Sequence, residues 1–486
     1  MNNKNYYSLF FSYGMSFAVI GFSYIVYSKI LTPGEFGLYS IALSIASFGI
    51  FILEGGIKTA IIKNTESFSD MDQRTSLSWL LMVSIVLSLL LIAAKYPLGF
   101  YFPIIKEDYL FLSLFTIIYL LTYPFIVIST AFLERKLHYQ RLAWVEAISN
   151  TIERGGPVVF LLWTELGIYS FVVALLLGRL IRVAAVSASH PVKLCPIHID
   201  RLRSILPLMR EGVWLQLATG MSLLRDNLHT IILAPLWGKA WVGYYSWGLQ
   251  LCMVLSQAFV QVSARVSLPR MAQQMSFSER WETCIEQIRF LVIYTAPLLI
   301  TALLVVPGIN LSYFGGKWTP VLPLLPLLFL RMIIGMAITP VGTLLPVQCG
   351  GMVFARVSSF WTLLEVVGSL VLILLIGPSG LALNYAITVF LGLYICVRAL
   401  GETCTGDMYI QIMKIIWLRP SLLISLCGTF MVVVIPLFSK ENIIVFLVNH
   451  FYSICGAAIV IVICAYLSER DLRKNIGIFL HNEETV

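Results

Sequence analysis

The sequence predicts an all-α integral membrane protein of about fourteen transmembrane helices, and three observations carry that prediction. Of its 486 residues, 59% are hydrophobic and 12% charged, whereas soluble domains run near a quarter charged. Apolar runs of about 20 residues, the length that crosses a hydrocarbon core of about 30 Å, follow one another almost without pause. A mean hydropathy of +0.88 leaves no room for an extramembrane domain of any size.

The N-terminal stretch MNNKNYYSLFF enters its first run behind Lys4 alone and has no small-residue cleavage site, so an uncleaved helix is expected over 8–30. Further spans are expected at 36–61, 76–94, 109–132, 142–163, 166–187, 206–236, 242–265, 286–307, 320–346, 356–377, 381–400, 421–438 and 443–467. Counted on alternate loops from a cytoplasmic N-terminus, 24 of the 33 Lys and Arg fall inside and 6 outside, with Arg154, Arg225 and Arg331 within spans. By the positive-inside rule that asymmetry sets both termini in the cytoplasm. The net charge of +8 is therefore topological and not a nucleic-acid footprint.

A repeat is visible at an offset of 206 residues: Phe36-Gly37-Leu38-Tyr39-Ser40 opens the second span and Val242-Gly243-Tyr244-Tyr245-Ser246 the eighth. Six spans separate the copies, so both start on the same side. The expected plan is an N-terminal six-helix lobe (1–190), a basic cytoplasmic loop (191–205), a parallel six-helix lobe (206–400), and helices 13 and 14 with a cytoplasmic tail (401–486). Parallel repeats of this kind are a transporter architecture with substrate bound between the halves. The nine cysteines show no CxxC pairing, and neither a disulfide framework, a metal site nor a cofactor is indicated.

Ionisable groups at membrane depth are the candidates for function, because each costs about 2.5–3.5 kcal/mol near the bilayer centre on insertion scales. Span 7 holds Arg225, Asp226 and His229 within five residues, aligned with Thr219 and Ser222. Span 8 presents Ser246, Gln250, Gln257 and Gln261 on one face, span 2 presents Ser40, Ser44, Ser47, Glu54 and Lys58, and span 5 presents Glu146, Asn150 and Glu153 beside Arg154. Each stripe has two readings: hydrogen bonding between packed helices, or the wall of a polar cavity. Glu54 and Lys58, four residues apart with the acid first, are expected to pair with each other. Arg179 and Arg182, near a cytoplasmic helix end, are expected to snorkel. His229 is either a packed neutral imidazole or a proton-responsive group coupled to Asp226. Arg154, Arg225, Arg331, Gln250, Gln257 and Gln261 are the substrate-binding candidates; Asp226, His229, Glu54, Lys58 and Glu153 are the coupling candidates.

No GxxxxGK[ST], HExxH or G-x-S-x-G occurs. Asp70-Met71-Asp72 has the D-x-D form that sugar-nucleotide enzymes use, but the surrounding sequence reads as a short Ser-rich loop without a catalytic domain. No catalytic residue is assigned.

The segments LTPGEFGLYSIALSIASFGIFILEGGIKTAIIKN (31–64), LERKLHYQRLAWVEA (133–147), GYYSWGLQLCMVLSQAFVQVSARVSLPRMAQ (243–273) and GGKWTPVLPLLPLLFLRMI (315–333) resemble bacterial oligosaccharide flippases of the Wzx type. These belong to the superfamily that also holds MATE drug exporters and peptidoglycan lipid flippases. The resemblance covers roughly 20–370; Lys63 stands where many relatives have arginine. It implies alternating-access transfer of an undecaprenyl-pyrophosphate-linked repeat unit of O-antigen, capsule or exopolysaccharide across the bacterial cytoplasmic membrane. The implied partners are that glycan lipid, membrane lipids and the glycan polymerase of the same pathway, with the chain a monomer. Arginines at membrane depth suit a pyrophosphate. The alternatives are a cation-coupled multidrug antiporter of the same superfamily, which needs an acidic cavity, and a membrane glycosyltransferase or polymerase, which needs a catalytic loop.

Overall fold

The computed structural model describes residues 19–58, 61, 70–95, 108–135, 139–191, 194–196, 213–274, 276–401 and 405–417. The described residues form α1 (Val19–Ile30), α2 (Pro33–Glu54), α3 (Asp70–Ala93), α4 (Tyr109–Arg135), α5 (Tyr139–Trp163), α6 (Ser170–Ser189), α7 (Val213–Asp226), α8 (Leu228–Gln273), α9 (Phe277–Ser312), α10 (Leu325–Cys349), α11 (Gly351–Ile376), α12 (Pro378–Arg398) and α13 (Thr405–Trp417). No strand occurs among them. Eight of the described helices are long and apolar enough to cross a membrane. The chain is a multi-pass, all-α membrane protein; the spans expected at 421–438 and 443–467 lie outside the described residues.

Local chemistry sets the boundaries. Thr32 caps α2 by accepting from the Glu35 amide while the Glu35 carboxylate reaches back to the Thr32 amide, with Pro33 as first helical residue. The helix stops where Gly55 and Gly56 take φ of 50° and 87°. Serine and threonine hydroxyls inside the spans bond their own helix four residues back, as Ser23 does to Val19, Ser28 to Tyr24 and Ser149 to Val145. That satisfies them where lipid could not.

Three expectations change at this level. Span 7 is not one helix: α7 ends at Asp226, and Asn227 interrupts the run by turning its amide onto the Leu223 carbonyl at 2.9 Å while its carbonyl accepts from Ser44 Oγ at 2.6 Å. A second break at Gly238, φ 81°, separates the rest of span 7 from span 8 inside α8. The Asp70-Met71-Asp72 triplet opens α3 and does not lie in a loop; Asp72 is buried. Between Arg398 and the expected span 13, α13 buries Met408, Ile412, Ile415 and Ile416 and packs on α9, with Trp281 Nε1 donating to Gln411 Oε1 at 3.1 Å.

The contacts divide the described chain into two units. One comprises residues up to Val254 together with Cys349–Asn384. Its apolar core joins α2, α3 and α4 through Leu53, Leu77, Leu80, Leu120, Val127, Ile128 and Phe132. Within this unit the two copies of the repeat meet. A Cβ on Gly37 would lie 1.8 Å from the Lys239 carbonyl oxygen, and one on Gly243 1.8 Å from the Pro33 carbonyl oxygen, so only glycine permits the crossing. Three residues on, Ser246 Oγ donates to Ser40 Oγ at 2.6 Å. The other unit comprises Leu255–Gln348 and the described residues from Tyr385. In it Asn310 closes the turn after α9, accepting from the Trp318 amide and donating to Thr319 Oγ1, each at 3.1 Å.

Candidate functional site

The break at Asn227 leaves Arg225 in the last turn of α7, against α11. Its guanidinium carbon lies 3.7 Å from the centroid of the Trp361 ring. Nη2 donates to Ser222 Oγ at 3.2 Å, and Nε lies 4.0 Å from Glu365 Oε2. The side chains of Arg225 and Glu365 are 12% and 2% exposed. Asn384 of α12 holds α11 at this depth, its amide donating to the Glu365 carbonyl oxygen and to Ser369 Oγ, both at 2.8 Å. A guanidinium stacked on an aromatic face keeps its N–H groups in its own plane, the geometry that accepts a carboxylate or phosphate edge-on.

A second charged network fills the helices of the N-terminal part. Arg179 Nε lies 3.2 Å from Glu153 Oε1, with both side chains 8% exposed, and the Arg179 guanidinium sits 3.9 Å from the centroid of Tyr119. Gly178 makes the room: a Cβ there would fall 2.4 Å from Glu153 Cγ. Arg182 Nη2 donates to Glu146 Oε1 at 3.2 Å, and Tyr123 donates to Glu54 Oε2 at 2.7 Å. Arg179 and Arg182 therefore do not snorkel; carboxylates on α5 hold them inside. The Glu54–Lys58 pair is not formed either. Gly55 and Gly56 break the helix between the two residues, so the four-residue spacing no longer stacks them, and Lys58 Nζ pairs with Glu134 Oε1 at 3.0 Å.

The remaining candidates divide. His229 is buried, its Nε2 3.1 Å from Ser246 Oγ, which makes it a member of a Ser40–Ser246–His229 chain at the repeat crossing. Asp226 is exposed, as is Arg154, whose carbonyl oxygen accepts from the Tyr27 hydroxyl; neither side chain makes an ion pair with a described residue. Gln250 is half-buried, and the side chains of Gln257 and Gln261 lie outside the described part. Arg331 belongs to the other unit and lies 3.7 Å from the centroid of Tyr385. Among the described residues no group of three His, Cys, Asp or Glu side chains gathers as metal ligands would.

Glu365 is a buried charged residue beside Arg225 that the sequence reasoning did not single out. Its signal was present: it is the one charged residue between Val357 and Val397, and the insertion cost that singled out Arg225 applies to it equally.

Residues 26–323 match the profile of a family described as polysaccharide biosynthesis proteins. The chain belongs to this family. Similar members include the lipopolysaccharide biosynthesis protein WzxC of Escherichia coli strain K12, 22% identical over 416 residues that cover 82% of each chain. The succinoglycan biosynthesis transport protein ExoT of Rhizobium meliloti strain 1021 is 23% identical over 362 residues, 74% of this chain and 70% of ExoT. Among solved structures, the lipid II flippase MurJ in an inward closed conformation superimposes with a TM-score of 0.69 at 14% identity, covering 96% of this chain and 99% of MurJ. An inward-facing multidrug transporter of the MATE family, in the MOP superfamily, gives 0.60 at 13% identity, covering 82% and 95%. The fold of this polysaccharide biosynthesis family member is thus the MurJ and MATE fold.

Proposed function

We propose that the chain is a flippase that carries an undecaprenyl-pyrophosphate-linked oligosaccharide repeat unit from the inner to the outer leaflet of the bacterial cytoplasmic membrane. The observation that carries the reading is Arg225: a guanidinium at membrane depth, over the Trp361 ring at 3.7 Å from its centroid and with Nε 4.0 Å from Glu365 Oε2. Membership of the polysaccharide biosynthesis family and similarity to ExoT, a succinoglycan biosynthesis transport protein, support it. The chemistry is that of a transporter and not of an enzyme: nothing is cleaved, and the protein's task is to shelter charge and sugar hydroxyls through the apolar layer. Arg225 meets the pyrophosphate, with Arg154 as a further cationic contact and Gln250 as a hydroxyl-binding group; Arg331, Gln257 and Gln261 are the further candidates for substrate contact. Asp226, His229, Glu54, Lys58 and Glu153 are the coupling candidates, among which His229 is the one joined by hydrogen bonds to the repeat crossing.

Moving two negative charges outward against an interior-negative potential gains about 4–5 kcal/mol per 100 mV, so ATP is not required. In this role both termini face the cytoplasm, the chain acts as a monomer of two parallel lobes, and the delivered unit passes to the glycan polymerase of the same pathway. The test is the leaflet at which the glycan lipid accumulates in cells lacking the protein. Labelling of intact spheroplasts by a lectin that cannot cross the membrane should be lost in the deletion and restored by the gene. Undiminished labelling in the deletion strain would overturn the reading.

A further inference from the structure

We propose that the Trp361 indole N–H is a second donor to the anion that Arg225 meets, so that the substrate's pyrophosphate is held by a guanidinium and an indole together. The inference rests on the flippase reading and deepens it by one substrate contact.

Three observations lead to it. First, the donor is unused. Trp361 is 9% exposed, and its Nε1 makes no hydrogen bond to a described residue, although a buried indole N–H ordinarily finds an acceptor. Second, the donor lies at the edge of the site. The Arg225 guanidinium carbon stands 3.7 Å from the Trp361 ring centroid, so the ring whose edge carries Nε1 is also the floor beneath the guanidinium. Third, the helix that carries the ring is fixed. Thr362, the next residue, donates to the Met221 carbonyl oxygen at 3.1 Å and ties α11 to α7, and Asn384 donates to the Glu365 carbonyl oxygen at 2.8 Å and ties α11 to α12. Phe360, Leu363 and Val367 are exposed on the same helix, whereas Trp361 and Glu365, four residues apart, are buried together on its other face.

The chemistry of the unmet group selects the ligand. An indole N–H donates and cannot accept, so its partner must offer a lone pair. The neighbouring guanidinium consists of donors as well, which disfavours a cationic or donor-rich ligand. A pyrophosphate suits both groups: one oxygen accepts from Arg225 while another accepts from Trp361 Nε1. Phenylalanine at 361 would give the guanidinium a ring and the anion nothing. A buried donor left unmet destabilises the free protein, and the arriving oxygen removes that penalty, which strengthens binding.

The test compares the full chain with Trp361→Phe, in detergent, using two probes: farnesyl-pyrophosphoryl-N-acetylglucosamine, and farnesyl pyrophosphate, which lacks the sugar. The variant keeps an aromatic face for Arg225 and loses the N–H. Affinity for both probes should fall about tenfold, the scale of one hydrogen bond to a charged group. A loss confined to the sugar-bearing probe would put the N–H on the sugar and overturn the proposal, as would unchanged affinity for both; the flippase reading stands in either case. No binding of either probe to the unmodified protein overturns the flippase reading together with the proposal.

A second measurement separates a bond to the ligand from support of Arg225 alone. The chain has 11 tryptophans, and nitrogen-15 labelling of their indoles gives a proton–nitrogen spectrum in which the signal removed by either Trp361→Phe or Trp361→Tyr is that of Nε1. When farnesyl pyrophosphate is added to the unmodified protein, that proton should move downfield as it enters a charge-assisted hydrogen bond. An unmoved signal, from an N–H that stays unmet or keeps a bound water, overturns the proposal.

Discussion

Arg179 and Arg225 each lie over an aromatic ring and face a glutamate from another helix, yet the distances separate them: 3.2 Å to Glu153, and 4.0 Å to Glu365. Arg179 is also flanked by a second pair, Arg182 with Glu146, and by Tyr123 on Glu54. Arg225 also donates to Ser222 Oγ, an uncharged hydroxyl that contributes direction. The difference teaches what makes an intramembrane arginine structural and what leaves it open to a ligand. Close pairing consumes the charge and fixes neighbouring helices together. A wider pair, with the guanidinium also over a ring and on a hydroxyl, leaves the side chain held by more than the carboxylate.

The largest effect that would sharpen this contrast is Glu153→Ala. It leaves Arg179 buried without its carboxylate and should cost about 3–5 kcal/mol, read as loss of folded protein in a detergent thermal-shift assay. Next comes Arg225→Ala, which should lower the melting temperature less than Glu153→Ala and slow delivery of glycan lipid to the outer leaflet about 10- to 100-fold, as loss of charge-assisted hydrogen bonds predicts. A larger fall in stability for Arg225→Ala than for Glu153→Ala would break the comparison. Replacing both members of the tight pair, Arg179→Met with Glu153→Leu, should restore most of the stability and keep transport within about threefold, since a buried pair exchanged for apolar groups of like volume is close to neutral. The same exchange at Arg225 and Glu365 should keep the fold and lose transport. Smallest is Lys58→Ala: its pair with Glu134 is partly exposed and should be worth no more than about 1 kcal/mol.

The spans themselves were legible because the bilayer imposes one rule, about 20 apolar residues with internally satisfied backbone, and the runs obey it. Arg225 and His229 were legible for the converse reason, that an ionisable group there needs a compensating contact. Pairings were not legible. Glu54 and Lys58 looked like partners because helical spacing assumes an unbroken helix, which Gly55 and Gly56 do not allow. Arg179 looked like a snorkelling residue because the sequence does not say that Glu153 of another helix would be beside it. Glu365, 140 residues beyond Arg225, could be flagged by its charge but not matched to a partner.

The sequence by itself determined the all-α membrane class, the repeat at 206 residues and the presence of buried charge, since each follows from composition or periodicity along the chain. Tertiary structure alone decided that the repeat copies touch at Gly37 and Gly243, that Asn227 breaks the seventh span, and that Arg225 faces Glu365 across two helices. The physical reason is range. Hydrophobic periodicity and capping act over a few residues, whereas an ion pair or a glycine crossing is chosen by which helix faces pack together, and no local rule encodes that choice.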